Sequence, residues 1–331
     1  MKDSDFFSSK TLLIDSKHEV ERIVAQLRNL MKNNLKRRGL VVGLSGGIDS
    51  SVTCALAVEA FGHKRVFGLH MPERDSSEET LSMSKMVANH FKIESAHEDI
   101  SGILDSLKFY KRYNDAMRNV IPEYGEGWKS KIVNMDFRVN RGFSLFSVVA
   151  RAPNGALIKK RLPLNAYLEI LAATNFKQRT RKMLEYYYAD LLHYAVAGTP
   201  NRLEYDQGFF VKQGDGAADI KPIAHLYKTQ VHQLAEYLGV PEIIRRRPST
   251  TDTYSLSQTQ EEFYFLIPYE QMDLCLYAKN NGIKPELVSK VTGLTKEQVN
   301  YIFEDLDIKR STTRYLHLQP LLVANVPEIH P

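Results

Sequence analysis

The sequence predicts an α/β fold: a doubly wound parallel sheet with flanking helices, carrying an inserted β-hairpin region and a helical C-terminal part. Three observations predict it. Leu40-Val41-Val42-Gly43 is a short apolar run rich in β-branched residues, which reads as a buried strand. Val52-Thr53-Cys54-Ala55-Leu56-Ala57 is apolar and alanine-rich, and reads as the following helix. Arg65-Val66-Phe67-Gly68-Leu69-His70-Met71 is a second apolar run. Strand, helix and strand in that order make a βαβ unit, and therefore a parallel sheet with ligand sites at the C-terminal ends of its strands.

In chain order, residues 1–13 are expected as a loose leader. Across 14–36, Val20, Ile23, Val24, Leu27, Leu30 and Met31 recur at helical spacing and predict an amphipathic helix. Between the opening strand and the next helix lies Ser45-Gly46-Gly47-Ile48-Asp49-Ser50-Ser51. Gly46 and Gly47 permit a tight turn, and the turn feeds a helix N-terminus, where unpaired N–H groups and the helix dipole suit a phosphate. The spacing excludes the Walker loop and the Gly-x-Gly-x-x-Gly fingerprint. Asp49 would repel a polyphosphate unless a divalent cation took oxygen ligands from both. The plainer alternative makes this an ordinary strand-to-helix turn with Asp49 as its cap.

Residues 78–90 read as a further helix and 94–100 as a third strand. Phe143 to Ala150, followed by Pro153-Asn154-Gly155 and Ala156-Leu157-Ile158, predict a hairpin across an Asn-Gly turn. Residues 175–189 read as a helix. Arg179 and Arg181, two apart, do not share one face, and guanidinium groups suit phosphate oxygens. Residues 198–231 alternate glycine-rich turns with acidic and basic side chains. Residues 283–303 read as a helical pair opened by a capping box at Thr295-Lys296-Glu297-Gln298.

A chain of 331 residues, 43% hydrophobic and 25% charged, is long enough for a substantial core and ordinary for a soluble globular protein. Its net charge of +5 is scattered except at Lys36-Arg37-Arg38, Lys159-Lys160-Arg161 and Arg245-Arg246-Arg247, so it does not favour nucleic acid over small anionic substrates. Cys54 and Cys275 both lie in apolar helical contexts and form neither a disulfide framework nor a zinc cluster. No apolar run approaches a membrane-spanning length, and the protein is expected in the cytoplasm, with neither membrane nor nucleic acid as a partner.

The motif at residues 45–50 resembles the pyrophosphate-binding loop of the N-type ATP pyrophosphatases, whose fold is of the adenine nucleotide alpha hydrolase type. That resemblance implies adenylation chemistry and leaves the acceptor open. Asn175-Phe176-Lys177-Gln178-Arg179-Thr180-Arg181, Gly198-Thr199-Pro200-Asn201-Arg202-Leu203-Glu204, Lys212-Gln213-Gly214-Asp215-Gly216-Ala217-Ala218-Asp219 and Leu226-Tyr227-Lys228 then follow in the order found in NAD synthetases of the ammonia-dependent type. The resemblance spans 14–320, is low over about 110–170, and leaves 321–331 as a tail.

It implies ATP as co-substrate and Mg²⁺ held by Asp49 and Glu204. ATP would be bound by Ser45, Gly46, Gly47, Ser50, Ser51, Arg179, Thr199, Lys228, Ser249 and Thr250. The acceptor would meet Arg179, Lys212, Asp215, Asp219 and Lys309, with Lys212, Asp215 and Lys228 catalytic. The acceptor implied is deamido-NAD, amidated to NAD by ammonia that is free or supplied by a separate glutaminase, in a homodimer. Gln258-Thr259-Gln260-Glu261-Glu262-Phe263-Tyr264-Phe265 departs from the family's Gln-Thr-Asp-Glu and Glu-Leu-Gly pattern, and Ile308 stands where the family has histidine. With the insertion, these departures motivate the alternative of a paralogous ligase that amidates a different carboxylate. The insertion is read as a surface or dimer elaboration in preference to a lid or an altered acceptor pocket.

Overall fold

The computed structural model describes residues 7–134, 146–248, 250, 253–256, 258–260, 264–265 and 267–328. Its centre is a four-stranded parallel sheet of β1 (Leu40–Gly43), β2 (Val66–His70), β3 (Glu94–His97) and β7 (Ala195–Ala197), ordered β3-β2-β1-β7. Leu40, Val41 and Val42 are fully buried because a central parallel strand is covered on both faces, which explains a continuous apolar run instead of an alternating one.

Leu40 and Val42 face α1 (Ser16–Leu30), α2 (Ile48–Phe61), α3 (Glu78–His90) and α8 (Lys228–Tyr237). Val41 points the other way, toward α4 (Ser101–Ser106), α5 (Phe109–Arg118) and the 29-residue α6 (Leu164–Leu192). The period of two in the strand thus divides the protein into two cores. The chain leaves β1 toward β2 and β3, and returns much later to place β7 on the opposite side. The crevice beyond β1 and β7 is therefore the topological switch point, where open α/β sheets bind ligands.

The expected hairpin is present, with one strand more than the sequence predicts. β4 (Lys129–Asn134), β5 (Phe146–Arg151) and β6 (Leu157–Arg161) form an antiparallel sheet. Gly155 takes φ +88° in the turn, while Phe143 to Leu145, expected as strand, lie outside the described residues. The surface reading of this insertion does not hold: Ile132, Val148 and Ala150 are fully buried in the second core with α5 and α6. At the current rate of about 25 cal/mol per Å², one buried face of a sheet is a large contribution to that core.

The leader is corrected too. Phe7 and Leu12 are buried against the C-terminal helices, Phe7 stacks on Tyr277, and Gln233 links its Nε2 to the Leu12 carbonyl and its Oε1 to the Ile14 N–H. Those helices are α10 (Tyr269–Asn280), α11 (Pro285–Thr292) and α12 (Lys296–His317), the last opened by the Thr295–Gln298 capping box. Short helices α7 (Arg202–Gln207) and α9 (Glu242–Arg245) complete the chain order. No helix among the described residues is long and apolar enough to cross a membrane.

Candidate active site

A cavity of about 860 Å³ opens at the switch point. Its floor is the turn after β1. Gly46 has φ +71°, and a methyl group there would lie 2.7 Å from the Thr80 carbonyl and 2.8 Å from Met83 Cβ, so both backbone and space demand glycine. Gly47 has φ −91° and needs no such freedom; it is the N-cap of α2. Ser50 and Ser51 both donate to the Gly47 carbonyl, at 3.1 and 2.8 Å, and Ser45 Oγ sits 3.0 Å from Ser50 Oγ. Ser45, Gly47 and Ser50 line the cavity. Gly46, against α3, and the fully buried Ser51, both expected at the nucleotide, do not line it.

Asp49 is not the helix cap. One of its carboxylate oxygens pairs with Lys228 Nζ, and the other accepts from Asn201 Nδ2 at 3.2 Å. Asn201 is also the N-cap of α7, accepting from the Glu204 N–H while its own N–H donates to Glu204 Oε2 at 3.1 Å. One asparagine thereby sets two acidic side chains side by side. Gln260 donates to Glu204 Oε1 at 2.8 Å. Burial, and then the neighbouring Asp49, push the Glu204 carboxyl up to about 8, whereas Lys228 acts in the other direction. Burial opposes the charge of Lys228, but Asp49 and Glu204 outweigh it and raise the ammonium above its usual range. Asp273 receives the Lys228 and Thr229 N–H groups at the start of α8, and burial lifts its carboxyl to about 7.

Around this centre lie Thr199 after β7, Arg179 and Arg181 on α6, and Thr250. The two arginines reach the cavity from different sides: Arg179 Nε donates to the Lys212 carbonyl and Arg181 Nε to the Met71 carbonyl. Ser249 and Glu261 lie outside the described residues. Asp215 lines the cavity, accepts from the Val211 N–H at 2.8 Å, and is raised by burial. Lys212 also lines it while donating to the carbonyls of Tyr315 and Leu318 at the end of α12. Lys309 reaches the wall already engaged, with Asp305 at 2.7 Å, the Tyr264 carbonyl at 2.8 Å and Gln207 Oε1 at 3.3 Å.

Asp219, expected to face the acceptor, does not line the cavity. Its carboxylate accepts from the Val196 N–H at 2.7 Å and from Tyr186 OH at 3.3 Å, supplying the acceptor that β7 lacks at the sheet edge.

Apart from Arg179 and Arg181, sequence reasoning missed the face of α6. Tyr167, Leu171, Thr174, Gln178, Arg181 and Glu185 all line the cavity at alternating spacings of four and three. That is one stripe of a helix, and the spacing alone carries the signal. Glu185 pairs with Lys182 at 2.5 Å and lies so close to the end of β1 that a methyl on Gly43 would meet its Oε1 at 2.8 Å. Lys177, also on the wall, forms a buried ion pair with Glu73 at 2.6 Å.

A family model described as NAD synthase matches residues 19–124 and 154–313. The chain belongs to the NAD synthase family. It is 56% identical over 319 residues to the NH(3)-dependent NAD(+) synthetase of Rhizobium rhizogenes, covering 96% of each chain. It is likewise 56% identical to the protein so named from Rhizobium meliloti, over 98% of this chain and 96% of that one. Among solved structures, an NMN synthetase from Francisella tularensis superposes with TM-score 0.65 at 21% identity, covering 94% of this chain and 99% of that one. An NH3-dependent NAD synthetase from Campylobacter jejuni gives 0.62 at 22%, over 94% and 100%. At such identities the two structures establish the fold.

Proposed function

We propose that this chain is an ATP-dependent carbon–nitrogen ligase that adenylates the nicotinate carboxylate of deamido-NAD, releasing pyrophosphate, and amidates it with ammonia to give NAD and AMP. The observation that carries the reading is that Asp49, Glu204 and Lys228, tied together through Asn201, line one cavity with the turn at 45–50. The names of the rhizobial relatives support the acceptor and the nitrogen source.

A carboxylate attacking a triphosphate needs charge neutralisation above all, and the cavity offers it from fixed groups. The backbone and hydroxyls at Ser45, Gly47 and Ser50, with Thr199, Thr250 and Arg179, all of which line the cavity, would bind ATP. Among the described residues no group of three or more His, Cys, Asp or Glu side chains is set to hold a metal. Two adjacent carboxylates are nevertheless the donor set that Mg²⁺ takes when phosphates and water complete its shell. Asp49 and Glu204 would hold the ion, which supplies charge neutralisation at the phosphates. Lys228, already between them, would turn to the phosphate oxygens. Asp215, with its carboxyl raised by burial, suits a proton acceptor for incoming ammonia, and Lys212, which also lines the cavity, would contact the acceptor.

The same reading has the enzyme in the cytoplasm as a homodimer. Met183, Tyr187 and Leu191 are 57%, 58% and 65% exposed at four-residue spacing on α6, which offers a second copy an apolar stripe. Light scattering on the purified protein tests this.

The reaction is tested by incubating the protein with ATP, MgCl₂, ammonium and deamido-NAD and following NAD and AMP by chromatography. Stoichiometric NAD, AMP and pyrophosphate are expected. Product formed only from another carboxylate would select the paralogous-ligase reading, and no pyrophosphate release with any acid would exclude a ligase.

A further inference from the structure

The family model passes from residue 124 to residue 154, so β4 and β5 lie outside it. Yet Phe146, the first residue of β5, lines the same cavity as Asp49 and Glu204. Its ring lies parallel to that of Tyr167 on α6, with centroids 4.5 Å apart and planes 5° from parallel. Its backbone is held on both sides, by pairing with Asn134 and by accepting the Leu162 N–H at 2.9 Å.

The free side of β4 holds a second part of the wall. Ser130 donates its N–H to Ser255 Oγ at 2.9 Å and accepts from the Leu256 N–H at 3.1 Å, and the Ile132 carbonyl accepts from Gln258 Nε2 at 2.7 Å. The insertion is therefore hydrogen-bonded to the residues just before Gln260, where this chain departs from the family pattern, and Tyr254 and Gln260 on either side of them line the cavity.

Distance along α6 indicates what that wall meets. Glu185 touches Gly43 at the end of β1, where the phosphate-binding turn begins, and Tyr167 is 18 residues earlier, about 27 Å along the helix at 1.5 Å per residue. The reacting carboxylate must lie near the turn to attack the α-phosphate. A dinucleotide acceptor then extends its other nucleoside away from the turn, toward the Phe146–Tyr167 pair.

We infer that the inserted sheet is a wall of the acceptor pocket, with Phe146 the platform on which the purine ring of the dinucleotide acceptor stacks. This rests on the functional reading above. A flat, fixed aromatic face recognises a purine without hydrogen bonds, because every base presents a π-face.

The test is steady-state kinetics on Phe146→Ala, Phe146→Leu and Phe146→Tyr, with thermal unfolding measured alongside. The expected result is a KM for deamido-NAD about tenfold higher in Phe146→Ala and Phe146→Leu, near wild type in Phe146→Tyr, and a KM for ATP unchanged in all three. Tenfold corresponds to about 1.4 kcal/mol, within the range for loss of one stacked base. Phe146→Leu keeps apolar bulk without the ring, so it decides the matter if Phe146→Ala unfolds. Unchanged KM for deamido-NAD, or a rise in the KM for ATP alone, overturns the inference while leaving the ligase reading intact. Failure of the wild-type protein to convert deamido-NAD overturns both.

Discussion

Asp49→Asn keeps the size of the side chain and removes its charge from the centre of the site. The Lys228 side chain is 3% exposed and has Asp49 as its direct partner. Leaving a buried ammonium unpaired costs about 3–5 kcal/mol. Here Glu204 limits the damage: Asp49 is the second cause, after burial, that raises its carboxyl, so losing that charge shifts Glu204 toward the ionised form that Lys228 favours, with burial still opposing it. The net loss of stability should be about 1–2 kcal/mol, a fall of a few degrees in Tm. Turnover should fall at least about a thousandfold, or about 4 kcal/mol in the barrier, because neutralisation at the triphosphate is lost. Asp49→Asn combined with Glu204→Gln should cost more stability than the two single changes summed, since Lys228 then has neither carboxylate. Calorimetry and a pyrophosphate-release assay at saturating MgCl₂ measure both effects. Turnover within tenfold of wild type would refute the assignment of Asp49, and strict additivity of the stability changes would refute the shared role of Glu204.

Asp219→Ala should reduce stability by about 1–3 kcal/mol by leaving the buried Val196 N–H without its acceptor, while kcat stays within a few-fold of wild type; denaturant titration and kinetics separate the two. Phe7→Ala should cost about 3 kcal/mol, because Phe7 is 6% exposed and stacks on Tyr277; an unchanged urea midpoint would mean the leader does not pack. His70 is buried beside Ser84, and burial followed by Lys85 and His97 depresses its imidazole to about 4. The unfolded chain takes up that proton near pH 6.5 and the folded one does not, so stability contributed by neutral His70 is present above about 6.5 and lost as pH falls toward 4. From pH 7.5 to pH 5 the loss is about 2 kcal/mol, and Tm measured across that range should flatten in His70→Gln.

Much of the site was legible because its chemistry requires residues at short, fixed separations. The turn at 45–51 is local, and so is the Asn201–Glu204 capping box, since a helix start sets both partners within one turn. The insertion was misjudged for a related reason. Reading it as a surface elaboration rests on the tendency of insertions to accumulate on surface loops, and nothing local shows that Ile132, Val148 and Ala150 meet α5 and α6. Asp219 sits in a loop with a functional look, yet its partner, the Val196 N–H, is created only when β7 lies at the sheet edge. Tyr167 and Glu185 form a legible stripe, but a stripe does not say whether it faces core or cavity.

The sequence by itself determined the βαβ opening, the glycine turn, the order of the charged motifs and the nucleotide chemistry, since each depends on neighbours within a few residues. Only the tertiary structure decided that Asp49 pairs with Lys228, 179 residues away, and that β4 holds Ser255, Leu256 and Gln258. Those contacts depend on which side of β1 the chain places β7, and on which face of α6 turns to the sheet. Both are settled by burial of apolar surface across the whole molecule, and no local pattern carries that information.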